Sequence, residues 1–162
     1  MKETILYEKL GFCGVATYIN SGNVIFSAEN SNPSDLSSRI EKAISSHFGF
    51  EVPVIIRTPH ELENILGSNP FLALGNPDES QLYVTFLSSM PDKGLVEKTL
   101  AFEYPPDTFI IRDREVFVNC PGGYGRTKLN NTFFEAKLKV VATTRNWNTI
   151  RQLHDLSKSI AI

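Results

Sequence analysis

Apolar positions along this chain recur with two periods, one near 3.6 residues and one near 2. Ile5, Leu6, Leu10 and Phe12, set among polar residues, predict a short amphipathic helix ended by Gly11. In VATYINSGNVIFSA two β-rich runs flank Asn20-Ser21-Gly22-Asn23, whose Gly and Asn tolerate the positive φ of a tight reversal. That stretch predicts a hairpin. Asn32-Pro33-Ser34 opens a helix through His47, with Leu36, Ile40, Ala43, Ile44 and Phe48 on one face, and Gly49 stops it. VPVIIRT (52–58) reads as a strand, and Pro59 starts a short helix bearing Leu62, Ile65 and Leu66. Residues 67–80, rich in Gly, Pro, Asn and Ser, mark the boundary between two subdomains, 1–78 and 79–162.

The second half opens with a strand, QLYVTFLS (81–88), and Pro91-Asp92 leads into a helix holding Leu95, Val96 and Leu100. FIIR and EVFVN form a hairpin around Asp113-Arg114, followed by the Gly-rich loop Pro121-Gly122-Gly123-Tyr124-Gly125. A helix from about Thr127 to Leu138 buries Leu129, Phe133, Phe134 and Leu138, and a final helix runs from about Arg145 to Ser157. The halves read α-β-β-α-β and β-α-β-β-α-α. Each contains helix, hairpin and helix in the order of a split βαβ unit. The expected fold class is α+β: two ferredoxin-like subdomains with antiparallel or mixed sheets, the first missing its opening strand. An incomplete sheet leaves an edge that invites a partner strand, so the expectation is either a homodimer through that edge or a stability below that of a full-length relative.

Four separated motifs resemble one bacterial family. They are Tyr18 to Phe26 (YINSGNVIF), Phe48 to Val54 (FGFEVPV), Gly123 to Leu129 (GYGRTKL) and Ala142 to Thr149 (ATTRNWNT). Asn69-Pro70-Phe71 and Val84-Thr85-Phe86-Leu87 fit it too. The family is the one filed as domain of unknown function 1697. The resemblance implies a two-part α+β fold with ferredoxin-like character and supplies no activity. Members usually begin with a strand of the type LLRGINVGG, whereas this chain begins inside the helix that follows it.

Composition narrows the function classes. A chain of 162 residues, 41% hydrophobic and 21% charged, is sized for one domain or two small subdomains. A net charge of −2 argues against a nucleic-acid binder covered in Lys and Arg, and leaves room for a local basic patch. No apolar run approaches the roughly 20 residues of a membrane span, and MKETILYEKLGF lacks a secretory apolar core. Cys13 and Cys120 match no metal or redox spacing, so both read as reduced thiols of a cytoplasmic protein.

Candidate chemistry gathers at two places. GGYGRTK is not a Walker A loop, because Gly125 is followed by Arg-Thr-Lys. It still sets Tyr124, Gly125, Arg126 and Lys128 before an expected helix start, where free amides and cations suit an anion. The competing structural reading is that the glycines only turn the chain. TTRNWNT reads as a second helix start, capped by Thr143 or Thr144. Arg145 would then sit at the unfavourable end of the helix dipole, beside Asn146, Trp147 and Asn148. The indole either packs in the core or stacks on a ligand ring.

From these residues the expected function is a binding module for a phosphate-bearing small molecule or nucleic acid. The ligand is held at two cationic helix N-termini by Tyr124, Gly125, Arg126, Lys128, Thr144, Arg145, Asn146, Trp147 and Asn148. The alternatives are an enzyme acting on a small anionic metabolite, with Glu135 or His154 as base, and a scaffold or interaction protein. His47, His60 and His154 are isolated and expected at surface or cap positions. Neither a metal nor a cofactor is expected.

Overall fold

The computed structural model describes residues 2–18, 22–29, 32–75 and 77–160. The first elements are α1 (Lys2–Lys9), β1 (Cys13–Tyr18), β2 (Asn23–Ser27), α2 (Pro33–Phe48), α3 (Pro59–Gly67) and α4 (Pro70–Ala73). Then come β3 (Leu82–Leu87), α5 (Lys93–Leu100), β4 (Thr108–Arg112), β5 (Glu115–Asn119), α6 (Asn131–Leu138), β6 (Ala142–Asn146) and α7 (Trp147–Ser159). The fold is α+β, with one two-stranded and one four-stranded sheet, both antiparallel. Two compact units divide the chain, residues 1–63 with 151–162 and residues 64–150. The boundary read from sequence, between residues 78 and 79, falls inside the second unit.

In the first unit β1 and β2 form the expected hairpin, with Thr17 opposite Val24 and Tyr18 opposite Asn23. Asn20 and Ser21 of its tip lie outside the described residues. Helix α2 obeys its local signals. The Asn32 side chain accepts the Ser34 amide at 2.9 Å, and Gly49 closes the helix at φ +80°. Its apolar face, Leu36, Ile40 and Ile44, joins Tyr7 and Phe12 in a core on which Val15, Val24, Phe26, Val54 and Ile56 pack.

VPVIIRT is a correction: it lies on this core but forms no strand. Pro53 has no amide to donate. The amide of Val54 goes to the Glu41 carboxylate at 2.9 Å, and the Ile56 carbonyl accepts from Arg57 at 3.0 Å. Glu41 is half-buried and bonded.

A bulge interrupts the hairpin between Cys13 and Ala16, where Gly14 adopts φ +60°. A Cβ at this position would lie 2.7 Å from Cγ2 of Ile160. Gly14→Ala therefore meets both a strained backbone and a filled space, and should cost about 1–3 kcal/mol. Urea denaturation checks this; an unchanged midpoint contradicts it.

The second unit holds the sheet β4-β5-β3-β6, and β3-α5-β4-β5-α6-β6 is the element order of a split βαβ unit. Central strand β3 is buried on both faces, which is why LYVTFL reads as a nearly unbroken apolar run. One face carries Leu87, Val116, Val118 and Ala142 against Leu129, Phe134 and Leu138. Leu82, Val84 and Phe86 project from the other and are equally buried.

Two helix boundaries are corrections. Helix α6 begins at Asn131, not Thr127, because Asn130 is its cap and accepts the Phe133 amide at 3.0 Å. ATTRN is strand β6, and α7 begins only at Trp147. Neighbouring β-branched Thr143 and Thr144 suit a strand, and pairing with β3 places Thr144 opposite Thr85.

Candidate functional site

Strand β6 brings two of the sequence candidates together. The Thr144 hydroxyl donates to Oδ1 of Asn131 at 2.6 Å and accepts from the Tyr124 hydroxyl at 3.1 Å. It also meets the Thr85 hydroxyl at 2.7 Å. A hydroxyl has one proton and two lone pairs, so with its proton on Asn131 it accepts from both Tyr124 and Thr85. The hub is saturated, and Thr144 serves to tie α6, β3 and the Tyr124 turn to the edge strand. The Tyr124 ring lies 5.0 Å from that of Tyr83.

Beyond Tyr124, Gly125 and Arg126 are exposed, and no heavy atom lies within 4 Å of where a Gly125 Cβ would stand. Lys128 follows, its ammonium 5.9 Å from the centre of the Tyr104 ring. Tyr104 belongs to an aromatic group that the sequence reading missed. Phe102 and Tyr104 are nearly parallel, at 16° and 6.5 Å, and Phe133 stands almost perpendicular to both, 5.7 Å from each. The Lys137 ammonium lies 4.4 Å from the centre of Phe102 and 6.0 Å from that of Phe133. Among the described residues, neither lysine meets a carboxylate. Each ammonium is held instead by the negative face of a ring, worth about 0.5–1 kcal/mol at an exposed site. The one local signal was the spacing of Phe133 and Lys137, four residues apart on α6.

The remaining candidates do not join this surface. Arg145 is paired opposite Val84, so it projects from the face opposite Thr144. Its guanidinium donates to the Thr143 hydroxyl at 2.9 Å and the Thr144 carbonyl at 2.8 Å. Burial disfavours its charge and lowers its pKa from the usual arginine value. Because Arg145 stands in a strand, the conflict with a helix dipole does not arise. Asn146, not Thr143 or Thr144, caps α7, accepting the Thr149 amide at 2.7 Å. Trp147 is 1% exposed, a packing residue, and Asn148 is exposed on the first turn of α7. The two cationic helix starts expected from sequence are therefore not formed.

The acid–base candidates have structural positions. The Glu135 carboxylate accepts the Ala142 amide at 3.0 Å, satisfying a backbone donor of β6. His154, expected at a surface or cap, is buried in the first unit, while His47 and His60 are exposed. Cys120 is buried, and that burial pushes its thiol above the ordinary cysteine value, while Cys13 is exposed. Among the described residues no cluster of His, Cys, Asp and Glu is placed to hold a metal ion, and no helix is long and apolar enough to cross a membrane.

The fold recurs in a solved structure, that of the conserved bacterial protein SP0830 from Streptococcus pneumoniae. The TM-score is 0.74 at 20% identity, with 96% of this chain and 87% of that one covered. At that identity the likeness concerns the fold alone. A search of curated proteins finds no match. The family model described as protein of unknown function (DUF1697) matches residues 3–117. With most of its length matched, the chain belongs to the DUF1697 family.

Proposed function

We propose that this chain is a binding module for a phosphate-bearing ligand, a nucleotide or a short nucleic acid, held at the aromatic surface of the second unit. Lys128 and Lys137 supply the charge, with Arg126 in the adjoining turn. The observation that supports this is the pair of ammonium groups resting on aromatic rings and, among the described residues, in no ion pair. Ammonium groups outside any ion pair among the described residues remain available to an anion, even on a chain of net charge −2. The reading keeps the chemistry expected from sequence and moves its centre from two helix starts to this surface. Enzymatic action on a small anion has less support, since Glu135 is engaged with the Ala142 amide.

Calorimetric titration at low salt with ATP, tripolyphosphate and a short oligonucleotide tests the proposal. At least one should bind saturably and weaken as salt is added. No binding of any of the three contradicts it. Trp147 is too buried to serve as the reporter.

A second reading rests on a different observation. Among the described residues the sheet of the first unit has two strands, and VPVIIRT packs on the same core without pairing. We propose that its open edge pairs with a second copy of the chain. Sedimentation equilibrium should show a concentration-dependent dimer; a monomer across the micromolar range contradicts this. Two free cysteines further support a reducing, cytoplasmic setting.

A further inference from the structure

We propose that the ligand is a single-stranded nucleic acid, with bases stacked on Phe102 and Tyr104 and phosphates on Lys128, Lys137 and Arg126. This rests on the phosphate-binding reading above and names its ligand class. A site for phosphate alone needs cations and amides, and has no use for apolar rings at the surface. Here Phe102 is 36% exposed, and the two lysines at the rings make no ion pair among the described residues. Phe133, perpendicular to both rings and equidistant from them, holds the pair from one side.

The ammonium groups stand at different rings, Lys128 at Tyr104 and Lys137 at Phe102. Charge spread along a row of rings suits a backbone with repeated phosphates better than one phosphate group. A duplex keeps its bases stacked inside and offers these rings nothing. A single strand presents a planar face at every nucleotide, with no requirement for sequence. An acidic peptide would match the charge but supplies no planar face.

The test compares two probes, a labelled oligothymidylate of about a dozen nucleotides and inorganic tripolyphosphate. Stacking is worth about 1–3 kcal/mol per base on alanine substitution, so Phe102→Ala should weaken the oligonucleotide about tenfold. Phe102→Tyr, which keeps a ring, should restore affinity to within about twofold. Tripolyphosphate should bind all three proteins alike. Phe102 is partly exposed, so the variants should melt close to the parent, and that is checked by circular dichroism.

If Phe102→Ala leaves the oligonucleotide unaffected while tripolyphosphate still binds, stacking is overturned and the phosphate reading stands. Failure of both probes on the parent protein overturns both. Equal weakening of both probes by Phe102→Ala makes the ring merely structural and overturns this inference. So does a duplex bound as tightly as the single strand, or displacement of the oligonucleotide by polyglutamate at equal charge.

Discussion

Replacing Trp147 with alanine is expected to destabilise the protein by about 3–5 kcal/mol, the range for removing a large aromatic from a packed core. The indole is 1% exposed and stands where β6 ends and α7 begins. Its loss leaves a cavity at the residue that anchors the change from strand to helix. For a chain of this size the melting temperature should fall by roughly 10 °C or more. Circular dichroism in urea gives the free energy, since the variant has no tryptophan left to follow. In the parent protein the same residue, the single tryptophan, should emit as a buried indole and resist quenching by acrylamide. A loss under about 1 kcal/mol would place Trp147 outside the load of the core.

Thr144→Val should cost about 2–4 kcal/mol, which is large for a change that conserves shape. Valine fills the same volume but removes the hydroxyl at the centre of the polar group. Asn131 then loses its donor, and the Tyr124 and Thr85 hydroxyls lose their acceptor. A buried group left without a partner costs about 1–3 kcal/mol, which applies in full to Thr85, while Asn131 and Tyr124 are half-buried and can turn to water. A double-mutant cycle with Tyr124→Phe should give a coupling of at least about 0.5 kcal/mol. Full additivity would mean that the hydroxyl of Tyr124 gains nothing from Thr144.

What could be read from the sequence was local chemistry. Asn32 and Gly49 bound α2 because capping and positive φ are decided by a few adjacent atoms. The turn at Asp113, with φ +51°, lies in the expected hairpin for the same reason. TTRN carries no apolar alternation, so its local pattern predicts a capped helix start rather than strand β6. Its strand character comes from β3, some sixty residues earlier in the chain. VPVIIRT failed in the opposite direction: its β-branched residues suit a strand, but pairing requires a neighbour, and Glu41 takes the Val54 amide instead.

The site divides along the same line. Tyr124, Gly125, Arg126 and Lys128 stand in one contiguous motif, of which Lys128 reaches the Tyr104 ring. Phe102 and Tyr104 reach Phe133 across about thirty residues of chain, and no local pattern announces such a meeting. A helix start over TTRN would set Arg145 with Arg126 and Lys128; the two-residue period of a strand turns it to the face opposite Thr144.

The central claim is that lysines on an aromatic surface hold a phosphate-bearing ligand. Its most direct test is anisotropy of a labelled oligothymidylate against salt, for the parent protein and for the Lys128→Gln, Lys137→Gln double variant. With three phosphates engaged, parent affinity should fall about twentyfold between roughly 50 and 200 mM salt. The double variant should bind more weakly at the lower salt, and its slope should shrink to about a third of the parent's, one phosphate contact remaining. A parent protein that does not bind at low salt, or a double variant with unchanged affinity and unchanged slope, would contradict the claim.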